Sequence, residues 1–185
     1  MYRNMFAGAL LLLLVLAVGV VGILYSGAYD ISASSGHSRV GQWLLENTMA
    51  NSVRSRAADI QAPRSFAPLA VLAGGSEYKA MCQQCHGGPG AKRAEWAEGL
   101  VPLPPDLTKS SVEWRPNEIY WIVKHGIKMT AMPAFGEAHG EETLWSIAGF
   151  VEQLPTMAPQ QYAAISDDHG EHSQSAGSDH SQHTH

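Results

Sequence analysis

Cysteine is scarce in this chain: 185 residues hold two, Cys82 and Cys85. A structural zinc site wants four ligands, usually from two such pairs, and there is no second pair. The flanking sequence also lacks the strand-rich apolar runs of a βαβ unit, which argues against a thioredoxin-like dithiol. A disulfide closing so small a loop would stabilise little. Basic charge is short as well. Lys and Arg total 12 against 17 Asp and Glu, a net charge of −5, so the chain lacks the basic excess that nucleic-acid binding calls for. No phosphate-cradling glycine loop and no nucleophile elbow occurs. Between Asn4 and Tyr29 charge of either sign is missing altogether.

What the two cysteines do form is Cys82-Gln83-Gln84-Cys85-His86, a C-x-x-C-H run. Its physical logic is attachment of c-type haem. Two thiols add across the two haem vinyl groups, and the adjacent histidine is held against the iron. One covalently bound haem c is therefore expected, on Cys82, Cys85 and His86.

The uncharged stretch has an apolar centre, Met5 to Leu24, rich in Leu, Val and Ala. Twenty such residues make a helix of about 30 Å, the thickness of a bilayer's hydrocarbon region. It reads as an uncleaved anchor or as a signal peptide, with Ser26-Gly27-Ala28 as a cleavage site. A signal's apolar region runs roughly 7–15 residues, so the length favours the anchor. Arg3, the one charge before the span, places the N-terminus in the cytoplasm and exports the rest. Covalent haem attachment in bacteria is completed on that outer side, so the two features agree. The expected location is the bacterial inner membrane, single-pass, with the haem domain on the periplasmic side.

Beyond the span the pattern is helical. Val40, Trp43, Leu44, Val53, Ala57 and Ile60 have helical spacing and predict one imperfect amphipathic helix or two short ones before Pro63. This stalk is either a solvated helix or a collar packed on the haem domain or the lipid headgroups. Gly74 and Gly75 punctuate the chain, with Ser76 as the N-cap of a short helix running into the C-x-x-C-H run. Lys92 to Glu98 predicts a short helix, followed by an extended loop through Pro102, Pro104 and Pro105. Pro116 suits the first position of a helix ending at His125, with Gly126 just past it. A last helix spans Glu141 to Leu154, with Leu144, Ile147, Ala148, Val151 and Leu154 on one face. From Ser166 on, the chain holds no apolar residue larger than Ala176 and is expected to be disordered. Its histidines, His169, His172, His180, His183 and His185, are either incidental to a solvated tail or a weak site for transition-metal ions.

With those helices placed, residues from Gly74 to about Tyr162 resemble a class I cytochrome c. The resemblance rests on Gly74 and Tyr78 ahead of the cysteines, the Cys82-Gln83-Gln84-Cys85-His86-Gly87 run, Met132-Pro133-Ala134-Phe135, and Trp145 to Leu154 with Phe150. The Trp43–Pro63 segment also resembles the stalk of membrane-anchored bacterial cytochromes of this type. Pro133, which stiffens the loop after it, and the resemblance together favour Met132 as the second axial ligand, with Met129, His125 and His139 as rivals. The resemblance also implies a carbonyl of Pro104 or Pro105 as the partner of His86, and Ile119, Ile122, Val123, Phe135 and Trp145 as haem walls. The expected architecture is all-α in four parts. These are an anchor over residues 1–29, a helical stalk over 30–73, a cytochrome c fold of three to five short helices around one haem over 74–162, and a His-rich tail over 163–185. The function implied is electron transfer between redox partner proteins, with no catalysis by the chain itself. The alternative is a haem subunit of a redox enzyme, or a sensor of NO, CO or peroxide, with an open or displaceable iron position.

Overall fold

The computed structural model describes residues 2–166. The expectations for the histidine tail, disorder and metal binding at His169, His172, His180, His183 and His185, lie outside the described residues. The described part is helical as expected. It contains no strand, only an isolated bridge between Gly88 and Ala91. The chain divides into two compact units, Met1–His37 and Ser38–His185.

The first unit is one helix, α1 (Tyr2–Ser26), and a short polar segment. Asn4–Ser26 has a mean hydropathy of 2.9, long and apolar enough to cross a membrane.

The second unit begins with α2 (Arg39–Ala57), capped by Ser38, whose hydroxyl accepts from the Gly41 amide at 3.1 Å. It continues with α3 (Pro68–Met81), α4 (Gln83–His86), α5 (Leu107–Ser110), α6 (Pro116–His125), α7 (Glu141–Gln153) and α8 (Pro159–Ala163). The stalk is thus one helix whose two halves differ. Val53 and Ala57 are buried against α6, while Val40, Trp43 and Leu44 stay exposed. Asn117 Nδ2 donates to the Ala57 carbonyl at 2.7 Å, and the Arg54 guanidinium lies 5.6 Å from the Trp114 ring centre. At the start of α6, buried Glu118 accepts from the Arg115 backbone amide at 2.8 Å and from its guanidinium at 2.7 Å.

The core lies where α3, α6 and α7 meet, around Tyr78, Ile119, Val123, Leu144, Ile147, Phe150 and Leu154. Here the structure corrects the reading of Gly74 and Gly75 as a boundary capped by Ser76. Both glycines lie inside α3, with Ser76 one residue beyond, and α3 itself starts at Pro68. They are small because α7 passes there: a Cβ on Gly74 would sit 2.1 Å from the Ser146 carbonyl oxygen. On helix propensity alone Gly74→Ala would stabilise by about 1 kcal/mol. Overpacking against backbone outweighs that gain, so the variant is expected to lose about 2 kcal/mol in denaturant unfolding. An unchanged or raised midpoint would show that α3 and α7 separate freely.

Trp145, expected at a haem wall, stacks on Tyr120 with ring centres 4.0 Å apart, which places it in the α6–α7 contact. Two elements were not foreseen. α5 follows the proline loop directly, and α8 follows Pro155 and a 3₁₀ turn over Leu154–Thr156.

Candidate haem site

The site is built on the end of α3. Cys82 donates its amide to the Tyr78 carbonyl at 2.8 Å and closes that helix. One further turn, α4, brings Cys85 and His86 to three and four residues past Cys82, a spacing that puts all three on one helical face. Gly87 ends the turn at φ 69°, a left-handed conformation that suits glycine. The exit is tied down. Tyr78 Oη donates to the Gly87 carbonyl at 2.9 Å, Gly88 and Ala91 exchange two backbone bonds of 2.9 Å, and the Ala94 amide reaches the Gln84 carbonyl at 2.8 Å.

His86 Nδ1 lies 2.8 Å from the Pro105 carbonyl oxygen. A carbonyl only accepts, so Nδ1 carries the proton and the Nε2 lone pair is left for a metal. Pro104, the other carbonyl named from the resemblance, instead accepts from Arg93 Nη1 at 2.5 Å. Burial holds the His86 pKa below its ordinary value, with the nearby Arg93 charge adding to this and the Pro105 bond opposing it. Neutral imidazole is the form that ligates a metal. Burial, then the neighbouring Cys85 and Glu77, pushes the Cys82 thiol up to about 12. Both cysteines are free thiols, Cys82 buried and Cys85 half-buried. Two free thiols, one imidazole with a fixed tautomer, and a glycine exit make a donor set that fits haem c.

The proline loop that orients His86 is held in turn by Asp106. Its Oδ1 accepts from the Thr108 amide at 3.0 Å and the Thr108 hydroxyl at 2.6 Å, capping α5. Its Oδ2 pairs with Lys109 at 3.0 Å. The Thr108 side-chain bond is the largest of the effects that set the Asp106 pKa below its ordinary 3.8. A depressed carboxylate stabilises the fold above its unfolded pKa, and that contribution is lost as pH falls through the lower folded value. Asp106→Ala is expected to cost about 1 kcal/mol at pH 7, the usual worth of such a cap. The difference from wild type should shrink in unfolding experiments below about pH 4.

Met132 stands on a separate loop fastened to the end of α6. Gly126, at φ 64°, lets that loop pass: a Cβ there would meet the Met132 carbonyl oxygen at 2.7 Å. The Ile127 amide donates to the Met132 carbonyl at 3.2 Å, and the Met132 amide donates to Thr130 Oγ1 at 3.1 Å. Past Pro133, the Phe135 and Gly136 amides reach the Val123 and Lys124 carbonyls at 3.1 and 3.0 Å. Met132 is half-buried in this frame. Its rivals differ. Met129 is 85 % exposed on left-handed backbone, His125 is exposed, and His139 directs Nδ1 to the Phe135 carbonyl at 3.2 Å.

Beside His86 opens a cleft of about 410 Å³ whose lining includes Arg93, Glu95, Glu98 and Asp106. Arg93 and Glu98 pair at 3.4 Å, so the cleft carries both signs of charge. Sequence reasoning passed over Arg93 and Asp106. Asp106 had a signal, a capping residue directly before Leu-Thr-Lys-Ser, while nothing local marks Arg93.

The family model described as cytochrome c oxidase, cbb3-type, subunit III matches residues 70–151. The cbb3-type cytochrome c oxidase subunit FixP of Rhizobium meliloti (strain 1021) is 30 % identical over 154 residues, which cover 77 % of this chain and 48 % of that protein. FixP of Sinorhizobium medicae (strain WSM419) matches with the same identity and coverage. The chain spans about half the length of the curated relatives it matches. No solved structure matches it. The matched segment carries the C-x-x-C-H turn, and by this likeness the chain resembles a class I c-type cytochrome.

Proposed function

We propose that this chain is a membrane-anchored, monohaem electron-transfer protein, held in the bacterial inner membrane by α1 with its cytochrome domain on the periplasmic side. The observation that carries the reading is the His86–Pro105 hydrogen bond at 2.8 Å, in one turn with both cysteines. Bound through thioethers to Cys82 and Cys85, haem c supplies a one-electron Fe(III)/Fe(II) couple. His86 would ligate the iron through Nε2, and Pro105 fixes its ring and raises its basicity. Met132 would hold the iron as a second ligand through its sulfur. Its thioether would favour the reduced state, and its loop, closed by the Ile127–Met132 bond and bonded to α6 beyond Pro133, holds it in place. With His86 and Met132 both holding the iron, the chain would carry electrons and catalyse nothing itself.

The named relatives are subunits of a cbb3-type cytochrome c oxidase. By that similarity the partners proposed here are the membrane subunits of a terminal oxidase, to which this chain passes electrons. The test is a spectrum of the full-length protein purified from membranes, with a search for oxidase subunits that co-purify. Low-spin ferric haem, reversible reduction and no CO adduct are expected. A high-spin ferric form that binds CO would move the assignment to a small-ligand sensor or an enzyme's haem subunit.

A further inference from the structure

The family match ends at residue 151, yet the segment beyond it returns to the attachment turn. Tyr162, in α8, is 2 % exposed. Its hydroxyl donates to Gln83 Oε1 at 2.6 Å, and Gln83 lies between the two cysteines. The Tyr162 ring lies so close to Gly88 that a Cβ there would be 2.5 Å from Cζ. Pro159 crowds Gly90 in the same way, 2.9 Å from where its Cβ would lie. Tyr162 also meets Tyr78 edge-on at 6.4 Å, and Tyr78 is the residue bonded to the Gly87 carbonyl. Just past α8, the Ile165 carbonyl accepts from Lys79 Nζ at 2.5 Å, which ties the segment back to α3.

A single four-residue turn followed by two glycines has little rigidity of its own. It is gripped from outside at Gln83, Gly87, Gly88 and Gly90, and α8 supplies three of those four contacts. We infer that α8 is a brace on the haem-attachment turn and that Tyr162 is a positioning residue for His86, acting through Gln83. This rests on the haem reading proposed above. The brace holds the Gln83 side chain and packs on Gly88 and Gly90, which flank His86, while Pro105 sets its ring. Loosening it leaves the ligand in place and alters how the imidazole plane is held, which a haem's electronic spectrum and potential report.

The test uses full-length holoprotein and the variants Tyr162→Phe, Gln83→Leu and their double. Readouts are the midpoint potential and the haem-methyl proton shifts of the ferric form. Each single variant should move both, in the same direction, and the double should move them no further than the larger single. Gly74→Ala, which loosens the core away from the turn, should lower the unfolding midpoint and leave the potential at the wild-type value. Wild-type shifts in either single variant, additive shifts in the double, or an equal shift in Gly74→Ala would overturn the brace. If Tyr162→Phe fails to accumulate, Gln83→Leu alone decides, since it breaks the same bond from the other side. Absence of covalent haem from the wild-type protein on a denaturing gel would instead overturn the haem reading.

Discussion

A Cys82→Ala, Cys85→Ala double variant is expected to carry no covalent haem and to lose its fixed tertiary structure, seen as collapse of the near-ultraviolet dichroism. The three helices that build the core are short, 14, 10 and 13 residues. Isolated helices under about 12–15 residues are marginal in water. Between residues 91 and 115 the buried side chains are Ala97 and Ser111, so that long stretch contributes little apolar burial of its own. A domain running from Pro68 to Ile165 is small enough that a prosthetic group held at Cys82, Cys85 and His86 is expected to decide whether it folds. Far-ultraviolet dichroism should fall less, because the helices retain sequence propensity. Native-like near-ultraviolet bands in the haem-free double variant would show that α3, α6 and α7 suffice.

The second large effect concerns Met132, the second ligand proposed for the iron. Met132→Ala is expected to abolish the far-red thioether charge-transfer band of the ferric protein. It should also lower the reduction potential by on the order of 100 mV, within the roughly 0.8 V that axial ligands span. Met129→Ala should leave both unchanged, because that side chain is 85 % exposed. The reverse pattern would transfer the ligand to Met129. Absence of the band from the wild-type protein would point to a histidine.

The two methionines show how far sequence reading reached. They lie three residues apart in one loop, and Pro133 together with family resemblance favoured Met132. The structure adds a physical separation. Thr130 and Ile127 bond the Met132 backbone, while Met129 sits at φ 63° facing solvent. The helices α6 and α7 were legible because their caps and apolar stripes are local: Pro116, Gly126, Glu141 and the run from Leu144 to Leu154. Gly74 and Gly75 were misread for the opposite reason. A glycine that breaks a helix and one that admits a neighbouring helix look the same until the neighbour is in place. The four-residue α5 and five-residue α8 are too short to show a period at all.

Covalent chemistry and continuous apolar length are written along the chain, so the C-x-x-C-H turn at Cys82, Cys85 and His86 and the apolar stretch at Asn4–Ser26 needed no tertiary information. Each depends on residues adjacent in sequence. The choice of Pro105 over Pro104 for His86 depended on residues 19 apart, and the grip of Tyr162 on Gln83 on residues 79 apart. Contacts at that separation are set by how α3, α6 and α7 pack, and no local pattern encodes them. Folding therefore decided which carbonyl orients the ligand and which side chains steady the turn, after the primary structure had decided what the turn can bind.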